Sequence, residues 1–354
     1  MSHYPFASMA TTPVLITAEN NGGARIFEKL KRELGPLLTR ELKDERTEDI
    51  LLNPDGNVWV KRMKQGFTCV GTLNSGVADA VIGTIAFMQG NQVVDAKNPI
   101  LETTVPFFGS RFEGLKPPVV KAPAFAIRKQ ATKVFTLDEY EAAGILTDKS
   151  DPDNQHRNVD EFVRRVQRKS HAEILRVAVE LHRNILVVGS TGSGKTTLAN
   201  ALLDAISKIT PNDRIVTIED TPELQCNVEN SVQLLSSLEV SMLTCLRACM
   251  RLKPTRIAVG EVRGQEALSL LKAWNTGHPG GFATVHANDA VSGLIRLESL
   301  VAEATVAAQQ KLIGEAVDLV VFIDGDPSLR SGRKVKELIV VAGFENGRYE
   351  FQRI

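Results

Sequence analysis

The chain is poor in several residue patterns that would announce a chemistry. Four of its 354 residues are cysteines (Cys69, Cys226, Cys245 and Cys249), and none stands in a CxxC pair. That leaves no spacing for a thiolate zinc module. Cys245 and Cys249 lie one helical turn apart in "SMLTCLRACMRL", which predicts two reduced thiols in a core rather than a disulfide. Aromatics make up 5%, and 42 Lys plus Arg balance 42 Asp plus Glu. Such a chain is ill suited to base stacking or to bulk electrostatic capture of nucleic acid. No apolar run is long enough to span a membrane. The opening "MSHYPFASMATTPVLITAEN" has no basic region ahead of an apolar one, so no secretory signal is expected.

What is present is a 43% hydrophobic chain, long enough for two domains. In the first half, "ARIFEKLKRELGPLLTREL" and "GVADAVIGTIAFMQ" have helical spacing. "DILLNPDGNVWVKRMKQGFTCVGTL" alternates around an NPDG turn as a pair of strands, and "PILETTVPFFGSRFEGLKPPVVKAPAFAIRKQ" reads as short strands and loops. This half is expected to be a smaller α+β domain over residues 1–150. The polar stretch "TDKSDPDNQHRNVD", residues Thr147 to Asp160, is the expected connection.

Residues 151–354 have a different rhythm. One amphipathic helix, "EFVRRVQRKSHAEILRVAVELH", leads into the strand "NILVVG". Helical segments then alternate with "DRIVTIED", "TRIAVGEV", "GFATVH" and "VDLVVFID", a pattern that predicts an α/β domain with a parallel sheet covered on both faces. "GQEALSLLKAWNTG" predicts a core helix with Trp274 inside, and "VKELIVVAGFENGRYEFQRI" a terminal hairpin about Asn-Gly.

"GSTGSGKTTLANALL" follows the strand "NILVV" and satisfies G-x-x-x-x-G-K-[ST] in full, between a strand and a helix as the motif requires. Over Gly189, Ser190, Thr191, Gly192, Ser193, Gly194, Lys195, Thr196 and Thr197 the backbone is expected to wrap phosphate. Its N–H groups and the start of the next helix both favour an anion. Lys195 is the expected cation for the outer phosphates, and the Thr196 hydroxyl a ligand for Mg2+. No Asn-Lys-x-Asp segment for guanine is present, so ATP is the expected nucleotide.

Hydrolysis also needs carboxylates to order metal-bound and attacking water. Glu219 and Asp220 end "RIVTIED", and Gly260 and Glu261 end "RIAVGE"; in a parallel sheet these strand ends face the ligand crevice. Glu261 is assigned to orienting water and Glu219 to Mg2+ or water, and the reverse assignment stays open. In "GHPGGFATVHAND", His286 at a strand end is a candidate contact to the terminal phosphate, while for His278 a place in the same pocket and a turn or subunit contact fit equally well. Arg263 is a further candidate donor. Arg247 and Arg251 share a helix face, read as solvated or salt-bridged.

The four segments "GSTGSGKTT", "VTIEDTPEL", "RACMRLKPTRIAVGEVRGQEA" and "TGHPGGFATVHAND", in this order, resemble the secretion ATPases of type II and type IV secretion, most closely the conjugal transfer branch. The likeness is strong from about Arg183 to Leu300 and weaker in "EDILLNPDGNVWV" and "AIRKQATKVFTLDEYEAAGIL". It implies a RecA-like ATPase domain behind the N-terminal domain, a homo-hexameric ring, and nucleotide held between the two domains. It also implies that Arg111 and Arg128 reach the phosphates, that a glycine stands where a Walker B Asp is usual, and that no zinc is bound. The implied protein is cytoplasmic and attached peripherally to inner-membrane components of a secretion channel, without stable nucleic-acid binding. Two other classes stay in view: a helicase-like translocase on the same core, and a nucleotide-gated scaffold. The second would not need both Glu219 and Glu261.

Overall fold

The computed structural model describes residues 21–354 apart from 64, 107, 131–135, 145 and 147–158. The first unit runs α1 (Asn21–Lys43), β1 (Thr47–Leu52), β2 (Asn57–Arg62), β3 (Phe67–Thr72), α2 (Ser75–Met88), β4 (Ile100–Thr104), β5 (Arg111–Leu115) and β6 (Ala124–Arg128). Its sheet has the order β3-β2-β1-β6-β5-β4 and is antiparallel at every pairing. The expected strand pair about NPDG is three strands, because "GFTCVGT" returns along β2. α1 is bent at Gly35, ahead of Pro36, whose ring removes a helical N–H.

The second unit follows α3 (Leu137–Ala142) and comprises α4 (Val159–Val166), α5 (His171–Glu180), β7 (Ile185–Val188), α6 (Lys195–Ile209), β8 (Ile215–Glu219), β9 (Ser231–Leu235), α7 (Met242–Arg251), β10 (Arg256–Val259), α8 (Glu266–Asn275), β11 (Phe282–Val285), α9 (Ala290–Ala302), α10 (Gln310–Ala316), β12 (Leu319–Gly325), β13 (Arg333–Glu345) and β14 (Arg348–Arg353). The sheet order is β14-β13-β12-β7-β11-β10-β8-β9, parallel from β12 to β9 with the terminal hairpin antiparallel. This is the expected α/β, RecA-like architecture behind a smaller α+β domain. The boundary placed at residue 150 falls outside the described residues. Among the described residues no helix is long and apolar enough to cross a membrane.

The single helix expected over 161–182 is two. Ser170 caps α5 by accepting from Glu173 N while the Glu173 carboxylate takes Ser170 N, a capping box that starts a new helix. Trp274 is buried as expected, its Nε1 donating to Ile257 O at 3.1 Å, and so are Cys245 and Cys249.

The first sheet buries both faces. One covers the α1–α2 layer, with Leu34, Leu38, Ile50, Ile82 and Phe125 in one cluster. The other contributes Leu51, Leu115 and Ala126 to the cluster that holds Leu234, Cys245 and Cys249 of the second unit. Polar bonds cross the same seam. Arg214, wholly buried, donates from Nη1 to Asn53 Oδ1 at 2.6 Å and to Asn230 Oδ1, and from Nε to Leu252 O at 2.7 Å. Leu235 N donates to Val119 O at 2.9 Å, and Arg251 pairs with Glu102.

A second buried arginine ties the base of the large sheet. Arg256 donates to Asp213, to Gly280 O at 2.7 Å, and to Val179 O at 2.8 Å. Burial raises the Asp213 carboxyl, but its bonds to His182 and Arg256 outweigh that and hold it at about 2. Removing one partner of such a buried pair costs about 3–5 kcal/mol. Arg256→Ala is therefore expected to lower unfolding free energy by that order in urea titrations; a loss below about 1 kcal/mol would contradict the buried network.

Glu113 sits in the seam with neither carboxyl oxygen hydrogen-bonded, and burial pushes it up to about 8 despite Arg251 nearby. A raised acid stabilises the fold at pH below its ordinary 4.5 and loses that contribution as pH climbs through about 8. Glu113→Gln is expected to raise the melting temperature at pH 9 and change it little at pH 5. Equal shifts at both pH values would show that the carboxyl is already ionised.

Candidate nucleotide site

Strands β7, β8, β10 and β11 deliver their C-terminal ends to one cavity of about 460 Å³. It is lined by Thr191, Gly192, Gly194, Lys195, Thr196 and Thr197 from the glycine-rich loop. Glu219, Asp220, Gly260, Glu261, Arg263 and His286 come from the other strand ends. Gly194 is the residue before α6 and has φ +101°, a left-handed conformation that L side chains avoid. The helix thereby starts with its free N–H groups at the cavity.

The Lys195 ammonium lies back on the loop that carries it. Nζ donates to Gly189 O at 3.0 Å and to Ser190 O at 2.9 Å, and its third contact is His286 Nδ1 at 3.2 Å. Lysine has no acceptor, so Nδ1 must offer its lone pair and the ring proton sits on Nε2. That proton points at Glu261 Oε1, 3.1 Å away. Glu261 Oε2 accepts from Arg263 Nη2 at 2.8 Å, and Arg263 Nη1 bonds Asp220. One line of contacts thus runs Lys195–His286–Glu261–Arg263–Asp220. Burial lowers the Lys195 pKa, with Glu261 opposing. Burial by itself raises Glu261, but Arg263, then His286 and Lys195, outweigh it and hold the carboxyl below its ordinary range.

Glu219 is in the opposite state. Burial raises its pKa, and Oε1 accepts Glu223 N at 2.9 Å and Leu224 N at 2.8 Å. Its side chain fills the space beside Gly260: a Cβ there would stand 2.9 Å from Glu219 Cγ. The glycine where an Asp is usual is therefore a packing requirement of the neighbouring strand's glutamate. The Thr196 hydroxyl donates to Glu223 Oε2 at 3.0 Å. Glu223 escaped the motif reading, although it stands in the quoted "VTIEDTPEL", four residues past Glu219.

Two expected residues lie elsewhere. Arg111 and Arg128 face each other across β5 and β6 and line a separate cavity with Asp49, Glu113, Arg251 and Lys253. Within one chain they do not meet the glycine-rich loop, because the apolar second face of the first sheet docks on β9 and α7, away from it. His278 is a turn contact, its Nδ1 donating to Pro254 O at 2.8 Å. Of the pair on α7, Arg251 is salt-bridged to Glu102 and Arg247 is exposed.

Comparisons with known proteins agree with this geometry. The family model described as Type II/IV secretion system protein matches residues 77–324. A probable conjugal transfer protein TrbB of Sinorhizobium fredii is 43% identical over 328 residues, which cover 93% of each chain. The conjugal transfer protein TrbB of Rhizobium radiobacter is 42% identical, over 92% of this chain and 93% of that one. The crystal structure of the VirB11 ATPase from the Brucella suis type IV secretion system, in complex with sulphate, superposes with a TM-score of 0.81 at 27% identity, over 91% of this chain and 97% of that one. With strand ends, glycine-rich loop and near full-length relatives in agreement, the chain belongs to the type II/IV secretion system protein family and is an ATPase of it.

Proposed function

We propose that the chain is a homo-hexameric ATPase that hydrolyses ATP to drive type IV secretion in conjugative transfer, working at the cytoplasmic face of the inner membrane through partner proteins. The observation that carries this is the convergence of Lys195, His286 and Glu261 within hydrogen-bond reach beside the glycine-rich loop. Names of relatives that share nearly its whole length support the transport role. Residues 1–150 form the N-terminal domain and 151–354 the motor domain.

The cavity fits a hydrated divalent cation by its donor chemistry: Thr196 Oγ1, Glu223, Glu219 and Asp220 offer hard oxygens only. Mg2+ held by Thr196, partly through water by Glu219 and Glu223, would neutralise phosphate charge. Loop N–H groups from Gly189 to Thr197 take the phosphates, and Lys195 exchanges two loop carbonyls for phosphate oxygens. Glu261, kept ionised by Arg263, accepts a hydrogen bond from water and orients it; a carboxylate with a lowered pKa suits orientation better than proton storage. His286 stands between Lys195 and that acid, so loss of the terminal phosphate reaches Glu261 through it. Arg263 donates to developing charge. Arg111 and Arg128, far from their own loop, are offered to the nucleotide of a neighbouring subunit.

The pKa contrast favours Glu261 over Glu219 as the water-orienting acid. Glu261→Gln is expected to bind ATP near normally and lose at least about 100-fold in kcat, measured by phosphate release and by direct nucleotide binding. Normal turnover in that variant, with turnover lost in Glu219→Gln, would reverse the two roles. His286→Ala is expected to keep ATP affinity within about threefold while kcat drops by about tenfold or more, since a coupling contact is lost rather than a phosphate ligand. If affinity fell and kcat held, His286 would be a binding residue only.

A further inference from the structure

The hairpin of β12 and β13 brings a basic residue to the cavity that none of the recognised motifs includes. Arg333, the first residue of β13, pairs in register with Gly325 and lines the same cavity as the glycine-rich loop. Its Nη1 donates to Thr197 Oγ1 at 3.2 Å. Its Cδ and Nη1 lie 2.7 Å from where a Cβ on Gly194 would stand, so the guanidinium rests on the last glycine of the loop. Among the described residues no carboxylate pairs with Arg333. The same hairpin also holds the other end of the loop: Ser190 Oγ donates to Asp324 Oδ1 at 2.9 Å, while Lys336 donates to Asp324 Oδ2 at 3.1 Å. The acid of the hairpin has its cation, and the arginine has no anion.

Sheet order fixes the side from which Arg333 arrives. β7, which feeds the loop, lies between β12 and β11. Glu261 and His286 come from the β10 and β11 side, and with Lys195 they mark the end where the terminal phosphate is cleaved. Arg333 comes from the β12 side and meets Thr197, the third residue of α6, where free N–H groups also face the anion.

We infer that Arg333 is a nucleotide-binding residue acting within its own subunit, its guanidinium meeting the α and β phosphates of a nucleoside di- or triphosphate from the flank opposite Glu261. This rests on the nucleotide pocket proposed above. An unpaired guanidinium beside a helix start is half of a charge-assisted bond, and phosphate oxygens supply the other half. Contact at the α and β phosphates serves ADP as well as ATP, so Arg333 binds substrate and product alike and leaves the cleavage step to Lys195 and Glu261.

The test uses the full chain as wild type, Arg333→Ala, Arg333→Lys and Lys195→Ala. A fluorescent ADP analogue, competed by unlabelled ADP and ATP, reads affinity; steady-state hydrolysis reads KM and kcat. Arg333→Ala is expected to weaken ADP and ATP by a similar factor, about tenfold. KM rises by the same factor, kcat falls far less than in Lys195→Ala, and Arg333→Lys recovers part of the affinity. Arg333 is exposed, and an unchanged melting temperature without nucleotide confirms that the variant folds. Unchanged affinity for both nucleotides would overturn the inference and leave the ATPase reading standing. Weakening confined to ATP, with a collapse of kcat, would put the guanidinium at the terminal phosphate and overturn it too. Wild type that binds neither nucleotide would overturn the pocket itself.

Discussion

The contact between His286 and its two neighbours holds the site together. Its ring has one donor and one acceptor when neutral, and both are in use: Nδ1 receives Lys195 and Nε2 faces Glu261. This works only if β7, β10 and β11 end at the same level, since each of the three residues follows or closes a different connection. The parallel register supplies that level: Val188 lies beside Val285, and Val259 beside Ala283. The buried Arg256 and Asn184 secure the opposite end of these strands, Asn184 accepting Gly280 N at 2.7 Å and donating to Ala316 O at 2.8 Å. A slip of one residue in β11 would turn the position of His286 away from the cavity, because alternate residues of a strand face opposite sides.

Next to this relay the structure exchanges one acid for another. A Walker B strand that ends in Asp would place a carboxylate where Glu219 already lies. β10 instead ends in Gly260 and lets the longer side chain from β8 cross beneath it. Thr284 Oγ1 donates to Gly260 O at 2.7 Å, so the bare glycine is held by the strand on its other side. The two glutamates then have distinct surroundings. Glu219 is enclosed and bonded to backbone N–H groups, while Glu261 faces Arg263, His286 and Lys195. Their pKa values move in opposite directions for these reasons, and that difference of environment is the ground for the proposed division of roles between them.

Much of this is legible in the sequence, and what is not has physical causes. Each of β7, β8, β10, β11 and β12 carries a short, mainly apolar run, the mark of strands buried on both faces, and the asparagine-glycine turn at Asn346 marks the last hairpin. β9 escaped because only Val232 and Leu234 are buried in a five-residue edge strand. The division of α4 from α5 was signalled by Ser170 and Glu173, but an unbroken run of helix-forming residues hid it. Arg214 stands just before β8 and Arg256 opens β10, so both resemble polar flanks, yet both are wholly buried, since only tertiary partners satisfy a guanidinium there. Arg111 and Arg128 had the right composition for phosphate ligands; which way the first sheet faces is decided by its second apolar side, and no local pattern states that. Arg333 lies 138 positions beyond Lys195, in a hairpin with no motif, and only the sheet order brings it to the loop.

Within the cavity, cationic and acidic side chains are bonded to one another. Lys195 and Arg263 face Glu261 and Asp220 through the relay, and Thr196 bonds Glu223. A triphosphate entering alone would bring negative charge toward Glu219, Asp220, Glu223 and Glu261, and repulsion at short range in a partly enclosed site is costly. On the function proposed above, a cation bound with it would remove that conflict, held by the Thr196 and Glu223 oxygens that here bond each other. On that reading Lys195, drawn to phosphate, would release the carbonyls of Gly189 and Ser190 and loosen its contact with His286. Because Lys195 reaches Glu261 through His286, that same movement would free Glu261 for water. The proposed mechanism thus couples binding and activation through the same three side chains, with no separate switch required.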